Sequence, residues 1–121
     1  LGLGQPEDAG YAAAIGVARD NLSLGRDVIA DSVNPVRATR LWYAQAAREA
    51  EARLLNIHVI CSDAKEHLRR ILTRAHPTPS QVAKRQCDTW DEDVLTLDLA
   101  KIDTADAVTE CVAAVEKARR I

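Results

Sequence analysis

The chain has 121 residues, with 16 Lys and Arg against 18 Asp and Glu for a formal net charge of −2. That length suits one domain spanning residues 1–121, since domains cluster at roughly 100–150 residues. The near balance of charge lacks the basic surplus with which nucleic-acid binders displace counterions, and no apolar run approaches the roughly 20 residues of a membrane span. Neither nucleic acid nor membrane is therefore expected as a partner. Met and Phe are absent, and only two Trp and two Tyr occur, so Ala, Leu, Val and Ile must build the core. Cys61, Cys87 and Cys111 are odd in number and widely spaced. They make poor material for a disulfide framework or a zinc site, and a reducing cytoplasmic setting is expected. Leu1 stands where an initiator methionine would, which predicts a processed product or a fragment.

Helical and strand patterns alternate along the chain. After Leu1-Gly-Leu-Gly4, Pro6 with Glu7 and Asp8 reads as a first helical turn, because proline tolerates that position and acids favour the positive end of the dipole. Tyr11, Ile15, Ala18 and Leu22 follow at helical spacing, and Gly25 is a natural stop. Asp27-Val-Ile-Ala-Asp31 is a short apolar run that predicts a strand buried on both faces. Asn34 as cap and Pro35 as first residue open a second helix, with Val36, Tyr43, Ala47 and Ala50 on one face. Leu54 to Cys61 reads as a second strand.

Asp63 and Glu66, at capping-box spacing, open a third helix running to about Ala75, before His76-Pro77-Thr78-Pro79. The segment from Ser80 to Asp93 is polar. Val94 to Ile102 predicts a half-buried edge strand, with Leu95, Leu97 and Leu99 alternating against Thr96 and Asp98. Asp103-Thr104 opens a last helix with an apolar stripe of Val108, Cys111, Val112, Val115 and Ala118. Strands separated by helices imply right-handed crossovers, hence an α/β fold with a mostly parallel sheet.

Ligands of open α/β sheets bind beyond the carboxyl ends of the strands. Those ends carry Asp31-Ser32-Val33-Asn34, Cys61-Ser62-Asp63 and Asp103-Thr104. A carboxylate such as Asp31 can hold magnesium through water or take a proton from a substrate hydroxyl; it can equally be a cap or turn former. Ser32 and Asn34 are weaker candidates of the same kind, and Asp63 and Asp103 read as caps. On the third helix Arg70 and Arg74 are four apart and line up, whereas Arg69 and Arg70 do not share a face. Such a row suits phosphates, or forms a solvated basic face paired with Glu66 and Asp63. The three histidines fall on different elements, which excludes an obvious metal site.

Three ordered stretches resemble a known family: Asp20-Asn-Leu-Ser-Leu-Gly-Arg-Asp-Val-Ile-Ala-Asp-Ser-Val-Asn-Pro35, Ile57-His-Val-Ile-Cys-Ser-Asp-Ala-Lys-Glu-His-Leu-Arg-Arg70, and Asp98-Leu-Ala-Lys-Ile-Asp-Thr104. Together they look like the C-terminal part of a P-loop small-molecule kinase of the gluconate, adenylylsulfate and chloramphenicol kinase type, proteins often grouped with AAA-family ATPases. The resemblance implies a three-layer α-β-α domain. It implies Asp31 as a magnesium or acceptor-site residue, Ser32 and Asn34 on the substrate side, and Arg70 and Arg74 as lid residues facing ATP.

The departure is the G-x-x-x-x-G-K-[ST] loop that cradles phosphates. Gly4 and Gly10 do not fit it, and the first lysine is Lys65. By the family's strand order 2-3-1-4-5, the absent strand would lie between the first two strands read here. The expectation is an incomplete kinase-like domain without its N-terminal strand, loop and first helix. It would take magnesium, ATP and a small phosphate acceptor only when that loop is supplied, and would not be catalytic alone. The alternative is a non-catalytic binding or assembly module, such as a homodimer exchanging strands.

Overall fold

The computed structural model describes residues 6–32, 37–74, 89–90 and 92–120. Among them are four helices, α1 (Pro6–Ser23), α2 (Arg37–Glu49), α3 (Ala64–Leu72) and α4 (Thr104–Arg120), and two strands, β1 (Ile57–Ile60) and β2 (Leu95–Asp98). They form two compact units, one reaching from α1 to Leu54 and including Thr89, the other beginning at Leu55.

In the first unit α1 packs on α2. Ile15 and Ala18 are buried from α1, and Ala46 and Ala47 from α2. Alanines at the contact let two helices approach closely, and the Arg19–Glu49 ion pair at 3.0 Å adds an exposed link worth under about 1 kcal/mol. Gly25 ends α1 as expected: with φ 76° its N–H donates to Leu22 O, while Arg26 N–H reaches back to Asn21 O. This is the Schellman pattern that a left-handed glycine permits.

The buried face of α2 keeps Ala47 and the half-buried Tyr43 of the expected one but not Ala50, and Val36 lies outside the described residues. Thr39 and Arg40 are buried with Ala46 and Ala47, while Ala50 is exposed and lies past the helix. The Arg40 guanidinium is accommodated by donating from Nη2 to Thr89 O at 3.0 Å. Asn34 and Pro35, the expected start of this helix, lie outside the described residues.

The second unit holds a parallel β1–β2 pair with Ile57 opposite Leu95 and Ile60 opposite Asp98. The parallel arrangement matches the sequence pattern, although both strands are shorter than expected. Leu97 of β2, Ile71 of α3 and Ala107 of α4 are its buried apolar side chains. On β1, His58 sets its ring 5.3 Å from that of Trp90.

Two expectations are corrected here. Residues 27–31 are not a strand: they run without regular structure, and Ile29 is 92% exposed. A strand exists only through a ladder partner, and none of the described residues pairs with this run. The inward stripe of α4 keeps Cys111 and Ala118 of the expected one but not its three valines. Ala107, Cys111, Ala114 and Ala118 are its buried or half-buried positions, while Val108, Val112 and Val115 are exposed. Of the loop 80–93, only a few residues fall within those described. Among the described residues, no helix is long and apolar enough to cross a membrane.

Candidate functional site

Within the first unit, α1, the run Val28–Ser32 and Tyr43 of α2 enclose an open trough of about 720 Å³. Its lining is mostly apolar, from Ala14, Val17 and Ala18 of α1 and from Val28, Ile29 and Ala30, together with Tyr11 and Tyr43. Asp31 and Ser32 bring a carboxylate and a hydroxyl to this lining, side by side in sequence and both exposed. Asn34 lies outside the described residues. The two tyrosines were legible only as core-face residues of their helices; their place in a ligand-sized trough depends on the path of residues 26–32.

Asp31 and Ser32 offer hard oxygen atoms of the kind magnesium accepts. Among the described residues no cluster of three or more His, Cys, Asp or Glu could hold a metal ion. One carboxylate and one hydroxyl do not by themselves make an all-protein cage for a metal ion.

The second unit carries the arginines. Asp63 caps α3, its Oδ1 accepting the N–H groups of Lys65 and Glu66 at 3.1 Å each. Asp98, at the end of β2, accepts the Ser62 N–H and the Ala100 N–H at 3.0 Å and so ties the two strand ends together. Hydrogen bonds from the Ser62 hydroxyl, the Ser62 amide and the Ala100 amide hold the Asp98 carboxyl below its ordinary range.

One turn into α3, Glu66 takes both neighbouring arginines. Its Oε2 accepts from Arg69 Nε at 2.9 Å, and its Oε1 accepts from Arg69 Nη2 at 2.6 Å and Arg70 Nε at 2.8 Å. Arg69, set aside because it does not share a helical face with Arg70, therefore joins it through a carboxylate that lies three residues from one and four from the other. The hydrogen bonds from Arg69, then Arg70, lower the Glu66 pKa from 4.5 to about 2, and the same contact raises that of Arg69. Arg74 lies beyond the helix, whose C-cap is Thr73, so the expected Arg70–Arg74 row does not continue on helical geometry. Asp31 and Ser32 belong to one compact unit, and Arg70 and Arg74 to the other.

Cys61 and Cys111 are free thiols, both half-buried.

No significant match was found among curated proteins or among solved structures. A family model described as an AAA domain matches residues 5–94, which takes in α1, α2, β1, α3 and the Asp31 segment. With most of its length in that match, the chain belongs to the AAA domain family, a P-loop NTPase-like group to which its helices and parallel strand pair are well suited.

Proposed function

We propose that the chain is the C-terminal portion of an ATP-dependent phosphotransferase acting on a small molecule, of the gluconate, adenylylsulfate and chloramphenicol kinase type. It forms part of one kinase-like domain and turns over only when a phosphate loop is supplied. The observation that carries this reading is a pair of unmatched edges. Among the described residues, the apolar run Val28–Ala30 that ends at Asp31 has no ladder partner, and β1 pairs with β2 alone. A strand bearing G-x-x-x-x-G-K-[ST] would supply a ladder partner to that run, and the 121 residues contain no such motif.

In that arrangement Asp31 takes the proton of the acceptor hydroxyl or holds magnesium through water. Ser32 and Asn34 orient the acceptor, and Arg70 and Arg74 offset phosphate charge. Bound magnesium and ATP supply the phosphoryl group and the neutralisation of its oxygens.

The coding region upstream of Leu1 tests the reading. It is expected to encode a strand and a glycine-rich loop, and an in-frame stop directly upstream overturns the proposal. The longer chain is expected to turn over ATP with magnesium and a small hydroxyl-bearing acceptor, and Asp31→Asn to slow it by about 10²–10⁴-fold. The same open edges favour one other reading, a non-catalytic module in which two copies exchange strands. Light scattering separates the two, because exchange requires a dimer of the 121-residue chain.

A further inference from the structure

Between Asp63 and Arg74 the chain places four cationic side chains, Lys65, Arg69, Arg70 and Arg74, against two acids. Asp63 is engaged with backbone amides at the start of α3, which leaves Glu66 as the carboxylate facing the arginines. Glu66 uses both oxygens for three charge-assisted bonds, all between 2.6 and 2.9 Å. Two guanidinium groups converging on one oxyanion is also the geometry with which proteins grip phosphate. Glu66 therefore stands where an external oxyanion would stand.

We propose that Glu66 is an internal competitor for the polyphosphate of the ligand, occupying Arg69 and Arg70 and setting the affinity at which they accept it. This inference rests on the proposed phosphate role of Arg70. It adds Arg69 to the phosphate-facing set and gives Glu66 a regulatory part.

Two effects of opposite sign meet at this carboxylate. Holding the arginines in place favours anion binding by ordering two long side chains, but exposed ion pairs of this spacing order them only weakly. Its negative charge repels an anion carrying several charges at contact distance, and that effect multiplies with the ligand's charge. Repulsion is therefore the larger effect. The depressed Glu66 pKa keeps the competitor charged throughout the neutral range, so it is displaced by anion concentration rather than by protonation.

The test is titration of the 121-residue chain with inorganic tripolyphosphate at low salt, followed by calorimetry. Glu66→Gln is expected to bind at least about fivefold more tightly than wild type, fivefold being the size of one pair of unit charges near contact in water. Adding Arg70→Gln to that variant is expected to abolish the gain. Glu49→Gln makes the same charge change beside Arg19 in the other unit, and is expected to leave the affinity within twofold. Unchanged or weaker binding in Glu66→Gln, or an equal gain in Glu49→Gln, overturns the inference.

The wild-type chain gives a readout that needs no variant. The Glu66 carboxyl-carbon resonance is expected to move as tripolyphosphate displaces it from the arginines, and a resonance that stays fixed at saturation overturns the inference. No step requires the phosphate loop. A failure here is thus distinguishable from failure of the phosphotransferase reading, which is decided by ATP turnover of the longer chain.

Discussion

Glu51 occupies a position where glycine would be at ease. Its φ of 55° lies in the left-handed region, which costs a residue with a Cβ roughly 1–2 kcal/mol. The bonds around it repeat those that close α1: Glu51 N–H donates to Arg48 O at 3.1 Å and Ala52 N–H to Ala47 O at 2.8 Å. One helix thus ends on Gly25 and the next makes the same turn on a glutamate. The first end was readable from the sequence because glycine announces a left-handed stop; the second was not, because nothing about a glutamate does. Glu51→Gly is expected to raise stability by about 0.5–1 kcal/mol, the strain relieved less the extra chain entropy of glycine. In urea denaturation the midpoint should rise with the slope unchanged. Gly25→Ala should move it the other way, by backbone strain alone, since a Cβ there meets nothing within 4 Å.

The elements divide by whether local chemistry or packing decides them. Caps are local, and Asp63 and Asp103 were both legible: Asp103 accepts the Asp106 N–H at 2.8 Å, as Asp63 does for its own helix. The face of α4 is a matter of packing. Valine and alanine are equally apolar in a binary pattern, but closeness of approach depends on volume, and the small side chains at 107, 111, 114 and 118 are the ones turned inward. The strand expected at 27–31 failed for a related reason, since an apolar run fixes what a strand can bury but not whether a partner is present. Asn34, with the candidate roles of its neighbours, depends on the same segment.

The junction of β1, β2 and α3 carries an acid-sensitive contribution to stability. Asp98 and Glu66 both have folded-state pKa values depressed below their ordinary ones, Asp98 by Ser62 and Ala100, Glu66 by Arg69 and Arg70. Their stabilisation is fully present above the ordinary carboxylate values and is lost as pH falls through the depressed ones, a window that for Glu66 runs from 4.5 down to about 2. Thermal unfolding followed from neutral pH into that window should show stability falling. The fall should be shallower in Asp98→Asn and in Glu66→Gln, each of which removes one titrating carboxylate.

Among the described residues of the whole chain, few large side chains are buried and many are not. Ile15 and Leu97 are the largest fully buried ones, each 1% exposed, whereas Ile29 is 92% and Val59 is 56% exposed. Burying a side chain of this size contributes roughly 1.5–3 kcal/mol, a contribution that the exposed ones do not make. Leu97→Ala should therefore cost about 2–5 kcal/mol, because it opens a cavity in the core of the second unit. Ile29→Lys should change the stability of the same chain by no more than about 0.5 kcal/mol, because its side chain is in water before and after. On the proposed function this neutrality is conditional. In the longer chain residue 29 lies on a central strand packed beside the phosphate-loop strand, and a lysine there carries the cost of an unpaired buried charge, about 3–5 kcal/mol. Parallel urea titrations of Ile29→Lys in the two chains measure the difference directly. A substitution that is silent in the short chain and disruptive in the long one supports the proposed strand against residues 28–30. One that is silent in both removes that segment from the sheet and, with it, Asp31 from the phosphate side of the site.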